Sequence, residues 1–107
     1  MKSVTATELA GLLKLQDAPR LLDVREPEEF EMCALPGARL APLGQIPALI
    51  SQIADWKNEP VVVYCHHGIR SMHAIHFLTE AGFTDLANLS GGIDAWSREV
   101  DPKMPRY

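Results

Sequence analysis

The stretch that most constrains this chain is Val61-Val62-Val63-Tyr64-Cys65-His66-His67-Gly68-Ile69-Arg70-Ser71. Three consecutive β-branched residues and a tyrosine predict a fully buried strand, with Pro60 tolerated just before its first residue. A short polar loop with one glycine follows, and from Ser71 to Ala81 the apolar positions Ala74, Ile75, Phe77, Leu78 and Ala81 recur at helical spacing. Strand, loop, helix is the order of an open α/β sheet. It sets the loop at the carboxyl edge of a strand and the amino end of a helix, where free backbone N–H groups and the positive helix end favour an anion. Cys65 at that point is a candidate thiolate.

The chain has 107 residues, 47% of them hydrophobic, which predicts a single domain over residues 1–107 with one core flanked by helices. Cys33 and Cys65 are its two cysteines, and no charged-then-apolar leader precedes them, so a secreted disulfide scaffold is not indicated and a reducing cytoplasm is the expected setting. No apolar run approaches the roughly 18 to 20 residues needed to cross a bilayer. A net charge of -4 argues against a broad nucleic-acid surface. An acidic protein that binds a small anion must therefore build positive potential locally, from loop amides and a few arginines, and Arg70 is placed to supply it.

The rest of the chain is scaffold around that loop. Lys2 to Thr5 predicts a short edge strand, and Thr5-Ala6-Thr7-Glu8 has the pattern of a capping box opening a helix through Leu9, Leu12 and Leu13. Leu21 to Arg25 is a short apolar run with a charged end. In the acidic run Glu26 to Glu31, Pro27 fits the first turn of a short helix and the carboxylates form a solvated face. A turn at Leu35-Pro36-Gly37 leads to a strand over Ala38 to Ala41, and Leu43 to Ala54 predicts an amphipathic helix interrupted by Pro47, which fits its first turn. Thr84 to Leu89 is the last strand, and Gly91-Gly92 opens a final helix through Trp96. Strands alternating with helical segments predict an α/β domain with a largely parallel sheet.

Taken together, these segments resemble a single-domain rhodanese of the thiosulfate sulfurtransferase type. The matching pieces are Leu21-Leu22-Asp23-Val24-Arg25 with Glu28-Glu29-Phe30, then Pro36-Gly37-Ala38, then Val62 through Ser71, then Leu89-Ser90-Gly91-Gly92 with Ala95-Trp96. Each is weak alone; their joint order across almost the whole chain makes the match specific. The resemblance implies a rhodanese-like fold, about five mainly parallel strands flanked by helices on both faces, with Cys65 as the sulfur carrier. Where the family usually has Gly-His before Ile-Pro-Gly-Ala, this chain has Cys33-Ala34 before Leu35-Pro36-Gly37-Ala38.

The chemistry expected of the loop is a double displacement. A free cysteine, with a pKa of about 8.5, is mostly thiol at neutral pH, but loop amides, a helix amino end and a neighbouring cation favour the thiolate. Cys65 then takes the outer sulfur of an anionic donor such as thiosulfate as a persulfide and passes it to a thiol, to cyanide or to a protein acceptor. The persulfide is a covalent intermediate, so no cofactor is expected. His66, His67, Gly68, Ile69, Arg70 and Ser71 are the residues expected to bind the donor, with Gly68 letting the amides converge on one sulfur. The bland alternatives are a buried core cysteine for Cys65, a surface charge for Arg70 and two merely exposed polar residues for His66 and His67. Loop length separates sulfur transfer from phosphatase or arsenate reductase chemistry on the same fold. Tyrosine phosphatases place one residue more between cysteine and arginine than the four here, and the narrower ring suits a single sulfur atom. A non-catalytic binding module is the other class, but such rhodanese-like modules typically lack the cysteine. No metal is expected, because His73 and His76 fall three apart without an HExxH pattern and a zinc-bound thiolate could not accept sulfur. Asp23 and Arg25 are expected to hold adjacent loops, Cys33 to be an incidental free thiol, and Trp56 and Trp96 to be core aromatics.

Overall fold

Val61–Tyr64 is the middle strand of the sheet, buried along its whole length. The computed structural model describes residues 2–107. In chain order the elements are β1 (Ser3–Val4), α1 (Ala6–Leu12), β2 (Arg20–Asp23), α2 (Pro27–Met32), β3 (Arg39–Leu40), α3 (Ile46–Leu49), β4 (Val61–Tyr64), α4 (Ile69–Glu80), β5 (Leu86–Leu89) and α5 (Gly92–Glu99). The five strands run in the order β1-β5-β4-β2-β3, and every pairing is parallel. No helix among the described residues is long and apolar enough to cross a membrane.

Alternation along β4 divides the core. Val62 and Tyr64 point to one face, where they pack with Leu9 of α1 and Ile93 and Trp96 of α5; Val61, Val63 and then Cys65 point to the other, with Ile46, Ile53, Ile75 and Leu78. Helices therefore cover both faces, as an all-parallel sheet requires. Leu78 is fully buried, and its truncation to alanine is expected to cost about 2 to 5 kcal/mol.

The predicted helix starts are met where the caps are local. Thr5 and Glu8 form the reciprocal capping box, and Pro27 occupies the first turn of α2. The interruption expected at Pro47 is present, and the segment from Leu43 is a 3₁₀ turn at Leu43–Gln45, the short α3 with Pro47 at its start, and a 3₁₀ segment over Ile50–Trp56 in place of a continued α-helix. Ile53 leaves helical geometry, with φ -117° and ψ 17°. Pro47 has no N–H to donate to the turn before it, and the β-branched Ile50 and Ile53 that follow have only weak helix preference.

Strand order also locates the site. From β2 the chain moves outward to β3, whereas from β4 it moves the other way to β5, so the crevice between the carboxyl ends of β2 and β4 is a topological switch point. The register Asp23 opposite Tyr64 ends both strands at the same level, and the Val24 amide still donates to the Tyr64 carbonyl at 3.1 Å. The segments starting at Val24 and Cys65 thus leave the sheet side by side.

Candidate active site

Cys65 is the first residue beyond β4, and its side chain is 1% exposed. Gly68 is the N-cap of α4 at φ +117°, a conformation that a side chain would strain. The helix begins at Ile69, two residues earlier than periodicity predicts, so Arg70 and Ser71 lie in its first turn. The curled loop turns two amides onto the sulfur: Gly68 N–H at 3.1 Å and Ser71 N–H at 3.4 Å. A shallow recess of about 140 Å³ above it is lined by Cys65, His66, His67, Ile69 and Arg70. Five of the expected site residues thus border one space, while Gly68 and Ser71 supply amides beneath it.

Two elements from the C-terminal part of the chain hold the loop from below. Ser71 Oγ lies 3.4 Å from Cys65 Sγ and 2.5 Å from Asn88 Oδ1 on β5, and Asn88 Nδ2 donates to the Gly68 carbonyl at 3.1 Å. The first turn of α5 donates to the loop carbonyls, Ile93 N–H to Cys65 at 2.9 Å and Asp94 N–H to His66 at 3.1 Å. Gly92, at φ +61°, makes that approach possible, since a Cβ there would overlap the carbonyls of Cys65 and His66.

The rim is built from the β2 side. Asp23 and Arg25 are both fully buried; the Asp23 carboxylate accepts from Arg25 N, Nε and Nη2 at 2.7 to 3.1 Å, and Arg25 Nη2 also donates to the Cys33 carbonyl at 2.6 Å. Burial works against the Arg25 charge, but Asp23 and Tyr107 outweigh it and hold the guanidinium above its ordinary range. These two residues hold adjacent loops, as expected. Arg70 lines the recess and is ion-paired there: its Nη1 and Nη2 donate to the two Glu29 oxygens at 2.6 and 2.9 Å. Glu29 correspondingly leaves the solvated face assigned to the acidic run; Arg70, helped by Tyr107, pulls its pKa down to about 2.

Tyr107 closes the rim. Its Oη accepts from Arg25 Nη1 at 2.8 Å and donates to Glu29 Oε2 at 2.6 Å, while its ring stacks on His66 with centroids 3.9 Å apart. His66 is therefore half-buried rather than a free loop residue, and its Nε2 is buried without a hydrogen-bond partner among the described residues. Burial and the neighbouring His67 push its pKa down, which keeps the ring neutral. His67 is mostly exposed, 3.9 Å from Asp94. Donor atoms of His66, His67 and Asp94 lie within 4.8 Å of one another, but Asp94 is already paired with Arg98 and Arg106, whose charges oppose a cation there. Cys33 is a buried free thiol at the end of α2, and Trp96 is a core aromatic, with Trp56 packed at the edge of the other cluster.

Sequence reasoning assigns no place at the site to Glu29, Asn88, Gly92 or Tyr107, although Glu29 and Gly92 lie in the segments that carry the resemblance. Gly91-Gly92 carried a signal, two adjacent glycines at a helix start, but nothing local says what the helix approaches. Chemically, the arrangement presents a sulfur nucleophile with two convergent donors in a small open recess, beside an ion-paired guanidinium.

The family model described as "Rhodanese-like domain" matches residues 5–99. The chain is 36% identical, over its whole length, to "Rhodanese-like/PpiC domain-containing protein 12, chloroplastic" of Arabidopsis thaliana, and spans 38% of that protein's length. It is 40% identical over 77% of its length to a protein named "Sulfurtransferase" from Allochromatium vinosum, covering 75% of it. A rhodanese-like domain protein from Staphylococcus aureus superposes with a TM-score of 0.82 at 32% identity, over 100% of this chain and 99% of that one. With the five-stranded parallel sheet and the cysteine loop at its switch point, these matches show that the chain belongs to the rhodanese-like domain family, whose members include named sulfurtransferases.

Proposed function

We propose that the protein is a sulfurtransferase that carries sulfane sulfur as a persulfide on Cys65, with thiosulfate or a related anion as donor. The Cys65 thiolate attacks the outer sulfur of thiosulfate; a sulfur–sulfur bond forms to Cys65 as the bond inside thiosulfate breaks, and its electron pair leaves with sulfite. The persulfide, charged on its outer sulfur, is then attacked by cyanide or a thiolate, which removes that sulfur and returns the Cys65 thiolate. No electrons are gained or lost overall and no cofactor is needed.

One observation carries this reading. The Gly68 and Ser71 amides converge on Cys65 Sγ beneath a recess of about 140 Å³, which suits a single added sulfur. The open rim leaves room for a protein acceptor as well as a small thiol. A reducing compartment such as the cytoplasm is the setting such a thiol cycle needs.

Intact mass after incubation with thiosulfate tests the reading. The expected result is a gain of one sulfur atom, removed by cyanide with release of thiocyanate, retained in Cys33→Ser and absent from Cys65→Ser. No mass gain in the wild type, or an undiminished gain in Cys65→Ser, would overturn it.

A further inference from the structure

A buried chain of hydrogen bonds starts at the Cys65 sulfur, and its direction is set at the far end. Asn88 Nδ2 lies 3.1 Å from the Gly68 carbonyl oxygen, which can only accept, so the amide is oriented with Oδ1 toward Ser71. That Oδ1 also only accepts, and Ser71 Oγ sits 2.5 Å from it. The hydroxyl has one proton and Asn88 takes it. What Ser71 Oγ then presents to Cys65 Sγ, 3.4 Å away, is a lone pair.

This has opposite consequences for the two forms of the sulfur. A neutral thiol donates its S–H to Ser71 and completes the chain. A thiolate receives the two amides of Gly68 and Ser71 but faces an oxygen lone pair on its third side. To gain the hydroxyl as a donor, Ser71 must release Asn88, leaving Oδ1 unpaired on a strand where Asn88 is 8% exposed. In the loaded form the inner sulfur is uncharged and the negative charge lies on the outer sulfur, so the conflict disappears.

We propose that Asn88 is a positioning residue for sulfur transfer: it holds the Ser71 hydroxyl proton away from Cys65 and fixes the carbonyl of Gly68, the residue whose own N–H faces the sulfur. The thiolate is thereby left one donor short, which makes it the stronger nucleophile and favours the persulfide over the empty form. This assignment rests on Cys65 as the sulfur carrier, but the device itself is a property of the resting thiol and is measured without any sulfur donor.

The test is the pH profile of iodoacetamide alkylation at Cys65, followed by peptide mass so that Cys33 does not contribute. Asn88→Ala frees the Ser71 hydroxyl to turn toward the thiolate, and its profile is expected to move to lower pH by roughly half to one unit. In a Ser71→Ala background the same substitution should produce no such movement, because the proton it releases is gone. Asn88→Leu fills the space without an acceptor and should behave as Asn88→Ala does, which covers the case in which the smaller side chain fails to fold. A profile that stays in place, moves to higher pH, or moves equally in both backgrounds would overturn the assignment. Normal sulfur loading beside any of those profiles would refute the positioning role alone; failure of the wild type to load sulfur, with the expected profiles, would refute the carrier reading alone.

Discussion

Arg70 and Glu29 face each other across the rim of the cysteine recess as a two-armed ion pair, with both terminal guanidinium nitrogens engaged at 2.6 and 2.9 Å. The arginine comes from the first turn of α4 and the glutamate from α2, so the pair ties the two loops of the switch point together. It also sets a competition. The nitrogens that a bidentate oxyanion would use are those the carboxylate already holds, and the site's positive potential is partly cancelled by its own structure.

Glu29→Gln should therefore improve donor binding. Removing one negative charge beside a partly exposed guanidinium is expected to lower the thiosulfate KM by roughly fivefold, equivalent to about 1 kcal/mol. Arg70→Ala should raise it. Steady-state cyanolysis of both variants checks this, and an unchanged KM in Glu29→Gln would show that the donor does not meet Arg70.

The same pair gives an acid signature. Arg70 holds the Glu29 pKa at about 2, below the ordinary 4.5, so its contribution to stability is fully present above 4.5 and is lost as pH falls toward 2. Urea midpoints measured from neutral pH downward should decline more steeply through that window for the wild type than for Glu29→Gln. Parallel curves would mean that the pair is no stronger in the folded chain than in the unfolded one.

Asp23→Asn should be among the costliest single substitutions. It leaves the fully buried Arg25 without its counter-charge, for which about 3 to 5 kcal/mol is the expected loss in equilibrium unfolding. A loss below about 1 kcal/mol would assign Arg25's stabilisation to the Cys33 carbonyl and Tyr107 instead.

Gly92→Ala should damage sulfur transfer more than stability. Its Cβ would strike the carbonyls of Cys65 and His66, forcing α5 away from the loop it anchors, whereas Gly44→Ala meets open space and serves as the control. Cyanolysis and thermal unfolding of the two variants, measured together, separate the effects; wild-type turnover in Gly92→Ala would show that the α5 contacts do not shape the loop.

What could be read from the chain alone was whatever depends on neighbours in sequence. The β-branched run Val61 to Val63, the glycine at 68 and the helical spacing beyond it specify strand, loop and helix through local sterics and period, and with the resemblance they were enough to single out Cys65. The Thr5 capping box and Pro27 were legible for the same reason. Over Leu43 to Ala54 the interruption at Pro47 was legible, because a missing N–H is a local property, whereas the departure from helical geometry at Ile53 was not.

Which side chains complete the site was decided only when β2, β4 and β5 came together in the sheet. Glu29 meets Arg70 across 41 residues, Asn88 meets Ser71 across 17, and Tyr107 reaches Arg25 across 82. A hydrogen bond or ion pair leaves no periodic trace at such separations, so the sequence determined the candidate nucleophile and its loop, while strand order determined which charges and hydrogen-bond partners surround it.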